Sequence, residues 1–285
     1  MIKTSDLIGA EELSTLLPAG NCRLVDCRFS LSDAAKGRQD YLAGHIPGAV
    51  YADLDQDLAS EITATSGRHP LPDVDTFRRQ LEKWGIGNET RVIAYDYGNG
   101  ALAVRFWWMM KCWLGHEAAS VLDGGITAWT AAIGTLESGE VEHEEREFTA
   151  VPESAVIATT AEIAEKIRIG AELNLIDARA APRFRGEVEP LDARAGHVPG
   201  ARNMPLSGNL NENNEWRGSE ELAAAWADFL DENAAEPPVV MCGSGVTACH
   251  LILAARLAGL PAPRLYVGSW SEWIRDESRP VATAK

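Results

Sequence analysis

A chain of 285 residues has room for one large core or for two of roughly 130 to 140 residues each. Hydrophobic residues make up 46% and charged residues 24%, the proportions of an ordinary globular protein, and no apolar run is long enough to cross a bilayer. A net charge of −16 argues against nucleic acid and acidic membranes as partners, since both require Lys and Arg to neutralise phosphate; a small anionic substrate would need a local arginine cluster to reverse the field.

The first residues, Met1 to Leu13, have neither the apolar stretch of a signal peptide nor the Arg-rich, acid-poor character of an organelle presequence, so a cytoplasmic location is expected. An apolar strand follows, Leu24-Val25-Asp26, ending in Asp-x-Arg at Arg28. Next comes Ala43-Gly44-His45-Ile46-Pro47-Gly48-Ala49, then a loop rich in acids, Asp53, Asp55 and Asp57, and the segment Gly67-Arg68-His69-Pro70-Leu71-Pro72. Helical patterns are predicted over Thr76 to Trp84 and Ala103 to Leu114, with a strand Val92 to Tyr95 between them and Asp96 at its end. Gly124-Gly125-Ile126-Thr127-Ala128-Trp129 closes this half. The charged run Gly139 to Ser154 reads as a linker wrapping one domain.

The same order then repeats. Leu175-Ile176-Asp177-Ala178-Arg179 repeats the first strand at an offset of 151 residues, and Ala195-Gly196-His197-Val198-Pro199-Gly200-Ala201 repeats the His-x-Pro-Gly segment at 152. Val239 to Cys242 matches Val92 to Asp96, and Gly268 to Trp273 matches Gly124 to Trp129. Helices are predicted over Glu220 to Phe229 and Ala248 to Ala258. Strands alternating with helices imply an α/β fold with a mostly parallel sheet and helices on both faces in each copy. Domains are expected at 1–140 and 158–285 with a linker at 141–157, the first copy walling the site of the second. A His-x-Pro-Gly present in both copies is better explained as a turn with a hydrogen-bonded histidine than as a catalytic group, and Trp129 and Trp273 read as packing.

Val239-Val240-Met241 behind Pro237 and Pro238 reads as a buried strand, and from about Val246 to a cap at Gly259 the sequence is helical. Cys242 stands between them in a loop whose Gly243 and Gly245 permit backbone angles closed to other residues. Loop amides and a helix dipole favour an anion there, and the thiolate is the nucleophilic form of cysteine. The bland reading is a packed cysteine, which is how Cys22, Cys27, Cys112 and Cys249 read. Five cysteines with no Cys-x-x-Cys pair suggest neither a disulfide framework nor a metal site, and no cofactor is expected.

The loop Cys242-Gly243-Ser244-Gly245-Val246-Thr247 after an apolar strand resembles the active-site loop of the two-domain rhodaneses, the thiosulfate and 3-mercaptopyruvate sulfurtransferases, in the form associated with the mercaptopyruvate branch. The resemblance implies two tandem rhodanese-like domains, with Asp96 at the nucleophile's position in the first. It also implies a persulfide on Cys242 cradled by residues 243–247, a small anionic sulfur donor, and a thiol, thioredoxin-like or cyanide acceptor. Ser244, His69 and Asp55 map onto the serine-histidine-aspartate relay of the mercaptopyruvate branch, and Arg183 onto the arginine that binds the donor's anionic end. By composition alone Asp55 is a solvated loop acid, His69 structural or exposed, and Arg183 a surface arginine paired with Glu187 or Glu189. The branch's second arginine is missing: Leu191 stands in its place, with Arg194 or Arg185 as replacements.

Two rival functions remain. A cysteine-dependent phosphatase would carry an arginine six residues after the cysteine, where this chain has Ala248. A persulfide carrier would need only the cysteine and a docking surface.

Overall fold

The computed structural model describes residues 4–149, 151–230 and 236–283. The chain forms two compact units: 1–60, 71–153 and 212–216 make the first, and 61–70, 154–211 and 217–285 the second. Each unit is built on a five-stranded sheet in which every strand pair is parallel. In the first unit the strands are β1 (Leu7–Ile8), β2 (Cys22–Asp26), β3 (Ala49–Tyr51), β4 (Arg91–Tyr95) and β5 (Ala119–Leu122), in spatial order β1-β5-β4-β2-β3. In the second they are β6 (Ile157–Ala158), β7 (Leu175–Asp177), β8 (Arg202–Asn203), β9 (Val239–Met241) and β10 (Arg264–Tyr266), in the matching order β6-β10-β9-β7-β8. The α/β fold and the repeat expected from the sequence are therefore present.

The strands are short and apolar because both sheet faces are covered, as parallel sheets require. In the first unit Leu24, Ile93 and Tyr95 pack with Leu13, Ile126 and Trp129 on one side. The helix Ala103–Trp108 continues through a wider turn, Met109–Trp113, and Trp107, Trp108, Met109 and Met110 are fully buried, as an element apolar all round must be. In the second unit Leu175, Met241, Tyr266, Trp270 and Trp273 form the equivalent core, which accounts for the repeated tryptophans.

The two Asp-x-Arg motifs do the same work in each unit. The Asp26 carboxylate accepts from Nε and Nη2 of Arg28, and Arg28 Nη2 also donates to the Gly44 carbonyl; Asp177, Arg179 and the Gly196 carbonyl repeat that arrangement. Each pair is buried and hydrogen-bonded on both partners, the condition under which a buried ion pair is tolerated. His45 bonds the Tyr41 carbonyl at 2.8 Å and stacks on the Tyr41 ring, while His197 bonds the Phe184 carbonyl at 2.8 Å and stacks on Phe184. Both are packing groups that fix a turn.

The charged run after Gly139 lies on the first unit. Val141 donates to the Tyr41 hydroxyl, His143 bonds the Gly48 carbonyl, Arg146 N donates to the Glu82 carbonyl, and Phe148 is buried. Among the described residues no helix is long and apolar enough to cross a membrane.

Candidate active site

β9 is the central strand of the second sheet, paired with β7 through Asp177↔Met241 and with β10 through Val240↔Leu265. Its carboxyl end delivers Cys242, the place where open parallel sheets bind ligands. The backbone of the loop is strapped to the turn after β10. Cys242 N donates to Ser269 Oγ at 3.1 Å, the Cys242 carbonyl accepts from Trp270 N at 3.1 Å, and the Gly243 carbonyl accepts from Ser271 N at 2.8 Å.

Of the two loop glycines only Gly245 uses the backbone freedom expected of both; Gly243 does not adopt a positive φ. Gly245 has φ +76°, and a Cβ there would lie 2.2 Å from the Val267 carbonyl oxygen. At Gly243 a Cβ would meet Nη2 of Arg68 at 3.1 Å and Nη2 of Arg183 at 3.6 Å, so two guanidiniums converge on the residue after Cys242.

The helix beyond the loop begins at Cys249 and not at Val246, as the sequence pattern suggested. Cys249, His250 and Leu251 donate to Val246, Thr247 and Ala248, three residues back, so a tight turn precedes the regular ladder. The left-handed Gly245 ends the strapped part of the loop immediately before these residues, and the apolar period alone does not register that the chain enters the helix through such a turn. Val246 is buried and Thr247 partly so. The helix runs Cys249–Leu257 and closes at Gly259, φ +74°, as expected.

His69 comes from the first half of the sequence yet belongs to the second unit, with the whole segment 61–70. Its Nδ1 lies 2.7 Å from Ser244 Oγ, and both residues are buried. The segment is anchored residue by residue: the Ser66 carbonyl accepts from Arg275, a Cβ on Gly67 would lie 2.6 Å from the Gly268 carbonyl oxygen, and Arg68 N donates to Ser271 Oγ at 2.9 Å. Cys242, Ser244 and His69, picked from the sequence, thus sit together in one unit. Asp55 belongs to the first unit, exposed on a turn where its N–H donates to Asp53 Oδ1.

The arginines fall differently from the sequence reading. Arg183 donates through Nε and Nη2 to Glu189 and through Nη2 to Asp192 Oδ2. Glu189 is the ion-pair partner that composition had offered. Burial raises the Glu189 carboxyl, but the Arg183 hydrogen bonds and the N–H groups of Leu191 and Asp192 outweigh it and hold the pKa below the usual glutamate range. Arg185 pairs on the surface with Glu187. Arg194 gives its carbonyl to Trp270 Nε1, and its Nη1 is buried without a hydrogen-bond partner among the described residues. Leu191 is exposed.

Four residues of this cluster were not picked from the sequence as site residues. Arg68 donates through Nη1 to Asp192 Oδ1 at 2.6 Å, so Asp192 bridges Arg68 and Arg183. Ser269 has φ +51°, strained for a residue with a side chain, and its hydroxyl accepts from Cys242 N while donating to the Tyr266 carbonyl. Ser271 anchors Arg68. The one available signal was the motif Gly268-Ser269-Trp270-Ser271, whose first-copy counterpart has Gly125 where Ser269 stands.

Two of the other thiols lie where burial disfavours the thiolate. Burial pushes the Cys27 thiol well up, helped by the charges of Asp26, Asp96 and Asp57, and burial also raises Cys22. Cys249 is a packed helix residue whose Sγ points to the Gly245 carbonyl at 3.5 Å.

In the first unit the corresponding loop is filled by its own carboxylate. Asp96 Oδ1 accepts from the N–H groups of Gly98 and Gly100, and Oδ2 from those of Leu102 and Ala103. A strand-end loop of this fold therefore does gather amides around one negative group.

The arrangement is that of a sulfur-transfer enzyme built on a duplicated α/β scaffold, and comparison with known proteins bears this out. The rhodanese-like domain family matches residues 9–132 and again 159–276. A Pseudomonas aeruginosa protein named "Probable 3-mercaptopyruvate sulfurtransferase" is 42% identical over 285 residues, covering 99% of both chains. Mycobacterium tuberculosis SseB, named for thiosulfate sulfurtransfer, is 36% identical over 276 residues, 96% of each. The crystal structure of SseA from Escherichia coli, described as a 3-mercaptopyruvate sulfurtransferase, superposes with a TM-score of 0.80 at 33% identity, covering 94% of this chain and 100% of that one. The chain belongs to the rhodanese family, with two rhodanese-like domains, and it is a sulfurtransferase.

Proposed function

We propose that the protein moves sulfur from 3-mercaptopyruvate through a persulfide on Cys242 to a thiol acceptor. The observation that carries this reading is the 2.7 Å pairing of Ser244 with His69 beside Cys242, a proton path that a sulfur carrier does not need. The donor's carboxylate binds at the guanidinium pair over Gly243, an end that the resemblance assigns to Arg183. The Cys242 thiolate attacks the donor sulfur. The carbon–sulfur bond breaks with its electron pair passing to the pyruvate enolate, and Ser244 and His69 deliver the proton that turns enolate into pyruvate. The sulfur stays on Cys242 as a persulfide held by the amides of residues 243–247. An acceptor thiol, a thioredoxin dithiol or cyanide then takes the outer sulfur and restores the thiolate, two modest displacements replacing one difficult transfer. The resemblance also assigns Asp55 to the proton relay. The five free thiols agree with a reducing compartment such as the cytoplasm.

Mass spectrometry after addition of donor should show one extra sulfur on the Cys242 peptide, and steady-state assays should show pyruvate formed over many turnovers. A single equivalent of transfer would identify a carrier. Thiosulfate, for which the Mycobacterium relative is named, is the second donor reading; a kcat/KM for thiosulfate above that for 3-mercaptopyruvate would establish it.

A further inference from the structure

We propose that Arg68 is the residue that receives the donor's carboxylate, replacing the second arginine whose expected position is occupied by Leu191. The proposal deepens the reading of donor chemistry above and rests on it for the identity of the donor.

The two guanidiniums over Gly243 differ in which edge is open. A carboxylate is best held at the edge formed by Nε and Nη2, where two parallel N–H groups match its two oxygens. Arg28 and Arg179 use that edge on Asp26 and Asp177. Arg183 uses it on Glu189, so the arginine that the sequence points to is already engaged there. Arg68 is the reverse case. Among the described residues its side chain bonds only from Nη1 to Asp192, and its Nε is buried with no hydrogen-bond partner. A buried donor without an acceptor is costly, and a ligand oxygen reaching it recovers that cost.

Position agrees with the open edge. Nη2 of Arg68 comes within 3.1 Å of the point where a Gly243 Cβ would lie, closer than Nη2 of Arg183 at 3.6 Å. The residue is fixed by its neighbours: Arg68 N is tied to Ser271, His69 to Ser244, and Asp192 spans both guanidiniums. Its side chain keeps 24% of its surface exposed, so a small anion can reach it. Arg185, spent on Glu187 at the surface, has no such place. Glu189 and Asp192 then have a clear role: they neutralise the standing charge of the pair and hold the two forks in register for a third carboxylate. In a protein of net charge −16 this local pair is what an anionic donor requires.

The test compares alkylation of Cys242 by iodoacetate, which carries a carboxylate, with alkylation by iodoacetamide, its neutral counterpart, in the full-length protein. Arg68→Ala should slow iodoacetate about tenfold while iodoacetamide stays within about twofold, and should raise KM for 3-mercaptopyruvate about tenfold with kcat little changed. Arg68→Lys, which keeps the charge without the fork, should fall between the two, and Arg185→Ala should match wild type. Equal slowing of both reagents would mean that Arg68 only braces His69 and would overturn the proposal. So would a selective iodoacetate defect in Arg194→Ala that Arg68→Ala does not share. A wild type that discriminates between the reagents through Arg68 yet makes no pyruvate would uphold the anion site and reject the donor assignment.

Discussion

Cys242 is held by its backbone as much as by its chemistry. Ser269 accepts a left-handed backbone that costs on the order of 1 kcal/mol so that its hydroxyl can take the Cys242 N–H. Ser269→Gly should therefore leave the denaturation midpoint nearly unchanged, because strain relief offsets the lost bond, while kcat falls. Cys242→Ser should lower turnover at least about a thousandfold, and Ser244→Ala and His69→Asn each about a hundredfold with the double variant no worse, since the two act as one proton path. Additive losses would separate them. Asp55→Asn tests the third relay member: kcat unchanged within about threefold would remove Asp55 from it. Asp57 offers a stability test in the other unit. Burial pushes its carboxyl up to about 6, against the Asp53 N–H that lowers it, and the Asp53 charge raises it further. The folded state thus holds this proton more tightly than the unfolded chain, so the contribution is full below about pH 4 and lost as pH rises through about 6. Asp57→Asn should match wild type in urea unfolding at pH 4 and exceed it by about 1–2 kcal/mol at pH 7.

At the scale of the element, one strand–loop–helix unit occurs twice with opposite outcomes. In one copy a glycine-rich loop presents a thiol; in the other, Asp96 supplies the loop's own anion and takes four N–H groups. Asp96→Ala should cost about 3 kcal/mol or more in urea unfolding by orphaning those donors. Because the amides then face an empty place, about 0.1 M sulfate should stabilise Asp96→Ala more than wild type, by ligand linkage. Equal stabilisation of both would show that the loop collapses instead of binding. Gly245→Ala tests the companion loop: a Cβ 2.2 Å from the Val267 oxygen at φ +76° forces the loop off its turn, so turnover should be lost even where the fold survives.

For the whole molecule, charge and connectivity matter most. A net charge of −16 repels an anionic donor at long range, and salt shortens that repulsion from about 30 Å at 0.01 M to about 8 Å at 0.15 M. The kcat/KM for 3-mercaptopyruvate should therefore rise over that interval in wild type. A fall would mean that local arginine attraction dominates even there. Connectivity bears on folding: residues 61–70 join the second unit and 212–216 the first, so neither half of the sequence carries its unit complete. A fragment of residues 154–285 lacks Arg68 and His69 and should not turn over donor even when it retains helical signal in circular dichroism.

The repeat, the parallel strands and the Cys242 loop were legible because they are local: an apolar run, a Gly-rich turn and a helical period each act within a dozen residues. Cys242, Ser244 and His69, named from the sequence, lie in one unit, and the two His-x-Pro-Gly segments form the turns with a hydrogen-bonded histidine that their recurrence implied. Other features depend on which distant groups meet. Val246 to Ala248 looked helical, yet they form a tight turn whose carbonyls accept from Cys249, His250 and Leu251, just after a Cys242–Gly243 backbone strapped to residues 269–271. Arg183 carries a charge readable from the sequence, but only packing against Glu189 and Asp192 decides which of its N–H groups are taken. Arg68 drew no reading of its own from the sequence, and only the fold places its segment in the second unit. The sequence by itself determined the class of protein, because the Cys-Gly-Ser-Gly-Val-Thr loop that carries the family resemblance is encoded within six contiguous residues. Only the tertiary structure decided which guanidinium edge stays open, because hydrogen bonds are allotted by distance in space, which residue order does not specify.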